Sequence, residues 1–146
     1  MSLPVPKPGL VIRYSFLWSN EHAEGATEGA KDRPCAIVVA ARADASGDLQ
    51  TIVAPITHRP PDDPATAIEI PTPTSRNLGL DGGRHWLRLD ELNRFAWPGF
   101  DLRPIPGQPS RSDYGMLPPG LFQQLRNGIL ARQKTRSARV ISRDEE

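Results

Sequence analysis

The chain has 146 residues, 16 of them proline, a net charge of +1 at pH 7, one cysteine and three histidines. This length suits one domain with a modest core, and the near-neutral balance gives no bulk electrostatic case for a nucleic-acid partner. A lone cysteine excludes an internal disulfide. With no basic-plus-apolar leader and no apolar run near the ~18 residues of a membrane span, the chain reads as cytoplasmic.

Residues 1–8 form a proline-rich leader, and Leu10 to Trp18, rich in β-branched and aromatic residues, reads as a first strand. Ser19 to Asp32 is polar, holds Gly25 and Gly29, lacks helical periodicity and is expected as a long loop. The run from Pro34 to about Ala41 is a second strand. Its Cys35, inside the apolar run, is expected to pack as a small buried hydrophobe. A turn at Asp44 to Asp48 leads to a third strand from about Leu49 to Pro55.

Arg59 to Pro64 reads as a loop. Ala67 to Ile70 reads as a short strand that Pro71 and Pro73 end or confine to an edge. Leu78 to Gly83 is rich in turn residues. His85 to Leu92 alternates as a strand, with Trp86, Arg88 and Asp90 on one face and Leu87 and Leu89 on the other. Phe100 to Ile105 is a further candidate strand. Leu121, Phe122, Leu125 and Ile129 then follow helical spacing behind Pro118-Pro119. The fold expected is mainly β with a C-terminal helix: a small SH3-like barrel or curled antiparallel sheet of about six strands, the helix over one opening. Residues 133–146 are expected as a flexible charged tail. Its cations, among them Arg132, Lys134, Arg136, Arg139 and Arg143 from the helix end onward, form either a solvated end or an arm that tracks phosphates.

Pairing the second and third strands as a hairpin sets Arg33 beside Thr57 and His58. A guanidinium fork, a hydroxyl and an imidazole able to give or take a proton make a set suited to a phosphate. The three histidines (His22, His58, His85) and Cys35 show no CxxC or HxxxH spacing, which gives metal ligation little support, and no cofactor is expected. No GxGxxG or GxxxxGK[ST] occurs, which sets aside ATP and NAD chemistry.

The order of short motifs resembles the MazF/PemK family of endoribonuclease toxins. The residues that carry it are Pro8-Gly9-Leu10-Val11-Ile12, Glu28-Gly29-Ala30-Lys31-Asp32-Arg33-Pro34 and Val53-Ala54-Pro55-Ile56-Thr57. The resemblance spans about residues 8–95 and departs in three places. The connection from Ser19 to Asp32 is longer than usual, Gly29 stands where a glutamine is usual, and Asp90 to Ala96 replaces an Arg-Thr-x-Asp-like element.

The resemblance implies the toxin component of a type II toxin–antitoxin module, a homodimer that cleaves single-stranded mRNA without a metal. In that reaction a ribose 2′-hydroxyl attacks the adjacent phosphorus, with charge stabilisation, a base and an acid supplied by the protein. Arg33, Thr57 and His58 are then the candidate catalytic residues. Arg94, Asn93, His22 and Trp97 are candidate RNA contacts. A cognate antitoxin would share the RNA groove. The competing reading is a non-catalytic member of the same barrel that binds nucleic acid or protein, including a toxin directed at DNA gyrase.

Overall fold

A computed structural model describes residues 3–26, 29, 31–42 and 47–143. The expected turn at Asp44 to Asp48 lies mostly outside the described residues. Eight strands form one curled sheet: β1 (Leu10–Tyr14), β2 (Arg33–Arg42), β3 (Leu49–Thr57), β4 (Ala67–Ile70), β5 (His85–Arg88), β6 (Glu91–Ala96), β7 (Asp113–Met116) and β8 (Arg139–Ser142). Among the described residues three α-helices accompany them, α1 (Ser19–Ala23), α2 (Thr72–Asn77) and the 16-residue α3 (Pro119–Lys134), with one 3-10 turn at Pro64–Thr66. The protein is therefore mainly β with a C-terminal helix, as the sequence predicts.

The main path of the sheet runs β4-β5-β3-β2-β1-β7, and β6 and β8 lie off it. The long strand β3 explains the curl. Its first half pairs with β6, from Gln50 opposite Ala96 to Val53 opposite Asn93. Its last residues, Ile56 and Thr57, pair instead with Leu87 and Trp86 of β5. Two successive strands thus share one edge of β3, and the chain between them bends at Leu89-Asp90. The expected single strand from His85 to Leu92 is in fact two strands meeting at this corner, where Arg88 grips Asp90 through two bonds of 2.9 and 2.8 Å.

Both faces of the central strands are buried, which accounts for their near-continuous apolar runs. Val11, Ala36, Val38, Ala54 and Ile56 point into one cluster, completed by Leu121, Leu125 and Ile129 of α3. Leu10, Ile12, Cys35, Ile37 and Val53 point into a second cluster with Phe16 and Phe95. Helix α3 covers the first. Its Gly128 sits where an added Cβ would lie 2.8 Å from Leu89, so the glycine lets the helix lie close to the corner.

As expected, β4 ends before Pro71 and lies at an end of the sheet path; Pro73 sits in the first turn of α2. Three further expectations are corrected. The loop from Ser19 carries α1, whose start Glu21 caps by accepting a hydrogen bond from the Trp18 N–H (3.1 Å). Phe100 to Ile105 makes only isolated bridges, Tyr14 with Leu102 and Ile105 with Gln108, because Pro104 and Pro106 cannot sustain a ladder. The charged tail contains β8, which pairs in parallel with β6 from Glu91–Arg139 to Arg94–Ser142.

Candidate anion cleft and histidine cluster

Cys35 lies opposite Pro55 in the β2–β3 pair, so the same register carried two residues further sets Arg33 opposite Thr57. Both line one open cavity of ≈ 1260 Å³, and His58 lines it too. Arg33 and Thr57 thus face each other across the end of the hairpin, and His58 follows at the rim of the same cavity. Seven Lys and Arg side chains line this cavity against four Asp and Glu, a clear excess for a chain whose net charge is +1.

Arg33 is half-buried, its guanidinium carbon 5.1 Å from the centre of the Trp18 ring. Burial lowers its pKa below the ordinary arginine value, against opposing pulls from Cys35 and Glu21. Its Nε is buried without a hydrogen-bond partner, and among the described residues it has no carboxylate within ion-pairing distance. Its neighbour Asp32 lies 3.7 Å from Arg103 instead, and Glu28 of the same loop lies outside the described residues. An uncompensated buried cation is costly unless something meets it. Thr57 accepts a hydrogen bond from the Arg59 N–H (3.2 Å), which starts the following loop, and no acceptor takes its hydroxyl proton among the described residues.

Arg13 is a contributor that the sequence reading missed. It lies opposite Pro34 on β1 and lines the same cavity, donating to the Tyr114 hydroxyl at 3.0 Å. The signal was available: a guanidinium stands in the run from Leu10 to Trp18, which apart from Ser15 is otherwise apolar and aromatic.

His58 is held differently. Its Nδ1 lies 2.9 Å from the Arg84 carbonyl, and its Nε2 lies 3.0 Å from Asp81 Oδ1. Both ring nitrogens therefore face acceptors, although a neutral imidazole has one N–H. His85, buried on β5, also points Nε2 at Asp81 Oδ1, at 3.2 Å, and the two imidazole rings lie 4.4 Å apart. Burial pushes the Asp81 carboxyl up, but the hydrogen bonds from His58 and His85 outweigh it and leave the pKa below the ordinary value. Sequence spacing could not reveal this cluster because His58 and His85 are 27 positions apart. The β3–β5 register, Thr57 opposite Trp86, makes them neighbours. Gly83 completes the turn that returns Asp81: its φ of +99° disfavours other residues, and an added Cβ would lie 3.5 Å from His58 Nδ1.

The remaining candidates lie elsewhere. Asn93 is fully buried and cannot reach a ligand. Its Oδ1 accepts from the Leu17 N–H and from Arg143, both at 2.9 Å, and its Nδ2 donates to the carbonyls of Leu17 and Leu92. Arg94 is exposed on β6 but does not line the cavity, and neither does the exposed His22 on α1. Trp97 packs at 6.1 Å from Phe95, against the second core cluster. Trp18, not Trp97, is the tryptophan of the cleft, and Arg88 also lies over its ring (5.5 Å).

The tail cations divide. Arg132 and Arg139 line the cavity, whereas Arg143 is buried and ion-paired with Asp101 at 3.0 Å. Gly29 also has a steric reason: a Cβ there would lie 1.9 Å from the Phe16 carbonyl oxygen, so this backbone has no room for a side chain. No helix among the described residues is long and apolar enough to cross a membrane. No family model, curated protein or solved structure matches the chain.

Proposed function

We propose that this protein is a toxin of MazF/PemK type that binds single-stranded RNA in the cationic cavity and cleaves it by 2′-hydroxyl attack on the phosphodiester. The observation that carries this reading is Arg33: a half-buried guanidinium propped on Trp18, with no carboxylate partner among the described residues and with Thr57 across the strand pair. A phosphate between them would receive the free guanidinium donors and the uncommitted hydroxyl proton. Arg33 would meet the added charge of the pentacoordinate transition state, where a fixed donor contributes most. His58 transfers a proton only when one of its two contacts, to Asp81 or to the Arg84 carbonyl, opens. Homodimer formation and an antitoxin competing for the groove belong to the same proposal.

The test is induction of wild type, Arg33→Ala and Thr57→Ala in a growth assay, with cleavage of single-stranded RNA followed in EDTA. The reading expects wild type to arrest growth and cut RNA in the chelator, and both variants to lose most of that activity. A wild type that is harmless and leaves RNA intact overturns it. A second reading, a non-catalytic RNA- or protein-binding barrel, is favoured by one specific observation: both nitrogens of the only candidate acid–base in the trio are occupied. It expects RNA to be bound, in an Arg33-dependent manner, and recovered uncut.

A further inference from the structure

We propose that His58, Asp81 and His85 form a binding site for one divalent transition-metal ion of the zinc class. The inference needs neither RNA nor cleavage, but it shares His58 with the reading above: an ion on Nε2 would withhold that imidazole from proton transfer. One donor atom from each residue lies within 4.8 Å of the others. Asp81 Oδ1 is 3.0 Å from His58 Nε2 and 3.2 Å from His85 Nε2. A tetrahedral ion with bonds of about 2.0–2.1 Å sets its ligand atoms about 3.3 Å apart. Two edges of the triangle therefore already have nearly the spacing that a bound ion imposes.

The donor set selects the ion class. Two imidazoles with one carboxylate suit zinc, cobalt, nickel or copper, whereas calcium and magnesium take mainly oxygen ligands. The cluster is also oriented. The Arg84 carbonyl, 2.9 Å from His58 Nδ1, is placed to accept its proton and so to turn the Nε2 lone pair toward Asp81. His85 is buried at 2% exposure and its Nε2 donates to Asp81 Oδ1 at 3.2 Å, while its Nδ1 has no partner among the described residues; a shift of the ring proton to Nδ1 frees the Nε2 lone pair for an ion. An ion shared by the three ligands would also resolve the hydrogen-bond account at His58, where a neutral ring has one proton for two acceptors.

The side chains of His58 and Asp81 are 50% and 77% exposed, and all three residues line the cavity. Three protein ligands leave a fourth position open on that side, which water would fill.

The test uses the full-length protein after chelator treatment and dialysis. It is titrated with Co²⁺ as a visible probe, and Zn²⁺ affinity is then measured against a chromophoric chelator. One equivalent of Co²⁺ with the absorption of a four-coordinate ion, displaced by Zn²⁺, is expected. His58→Gln and Asp81→Asn, both at exposed positions, should each weaken Zn²⁺ at least tenfold, and His22→Gln should leave it unchanged. His85→Ala empties a buried position and is replaced by the other two variants for that reason. The proposal falls if the wild type takes up neither ion, if both His58→Gln and Asp81→Asn bind like wild type, or if His22→Gln removes the binding. RNA cleavage in EDTA is a separate readout, so failure here leaves the nuclease reading standing, and the converse holds.

Discussion

Two arginine-centred clusters in this molecule use similar chemistry to different ends. Around Arg143 the donors are matched: its guanidinium bonds to the Ser15 carbonyl (2.7 Å), to Asn93 Oδ1 (2.9 Å) and to Asp101 (3.0 Å), and its side chain is 2% exposed. Around Arg33 they are not. The Nε is buried without a partner, no carboxylate pairs with it among the described residues, and the cavity in front of it holds an excess of positive charge. A buried, fully matched network is structural material that ties β8 to the core. A cation left unmatched beside a cavity has donors that an anion could meet. Residue type does not separate the two; the accounting of partners does.

The largest expected effect breaks the matched side. Arg143→Ala takes from Asp101, 15% exposed, its 3.0 Å partner, with Arg103 remaining at 3.9 Å, and removes the donor that meets the Ser15 carbonyl. Removal of one partner of a buried pair costs about 3–5 kcal/mol. For a chain of this size that is roughly a 10 °C fall in Tm, measurable by calorimetry. Replacing both charges, Asp101→Leu with Arg143→Met, should recover at least half of the loss, because no uncompensated charge then remains. A double variant as unstable as the single one would mean that geometry, not charge, dominates this cluster.

The unmatched side should respond in the opposite sense. Arg33→Leu is expected to lower RNA cleavage, or affinity if the protein only binds, by about 100-fold, near 2.7 kcal/mol. Its stability should stay level or rise. Burial lowers the Arg33 pKa, which means that the folded state disfavours the charge relative to the unfolded chain, and removing the charge relieves that cost. Thr57→Ala should have a smaller effect, about tenfold, since a neutral hydroxyl contributes less than a guanidinium. Arg33→Leu that destabilised as strongly as Arg143→Ala would place both arginines on the structural side.

This contrast also explains what the sequence could disclose. Apolar runs and turn residues revealed β2, β3, β4 and α3 because those signals are local. The Arg33–Thr57 neighbourhood followed from a single hairpin. Features that depend on distant pairing stayed hidden. His85 joins His58 only through the β3–β5 register, and Arg139 to Ser142 forms a strand only because β6 offers an open edge. Asn93 enters as a candidate RNA contact through the resemblance alone, and a polar side chain in a strand fits a ligand contact and a buried hydrogen-bonding hub equally well. The four bonds it makes to Leu17, Leu92 and Arg143 decide for the hub. Short helices such as α1 and α2, of five and six residues, are too brief for periodicity to register.

The smallest predicted effect draws the boundary of the cleft. Arg13 lines the cavity and Arg94 does not, although both are arginines projecting from strands. Binding of single-stranded RNA releases condensed counterions, and each phosphate contact adds about 0.7 to the slope of log affinity against log salt. Arg13→Ala should therefore reduce that slope by about 0.7 and weaken binding several-fold at low salt. Its loss of the Tyr114 hydrogen bond should cost only about 1 kcal/mol of stability. Arg94→Ala should leave the slope unchanged and move stability by less than about 0.5 kcal/mol, as expected of an exposed surface position. The measurement is fluorescence anisotropy of labelled RNA over a salt series. An Arg94→Ala slope that fell as far as that of Arg13→Ala would mean that the RNA path leaves the cavity and crosses β6. The cleft around Arg33 would then be only part of the binding surface.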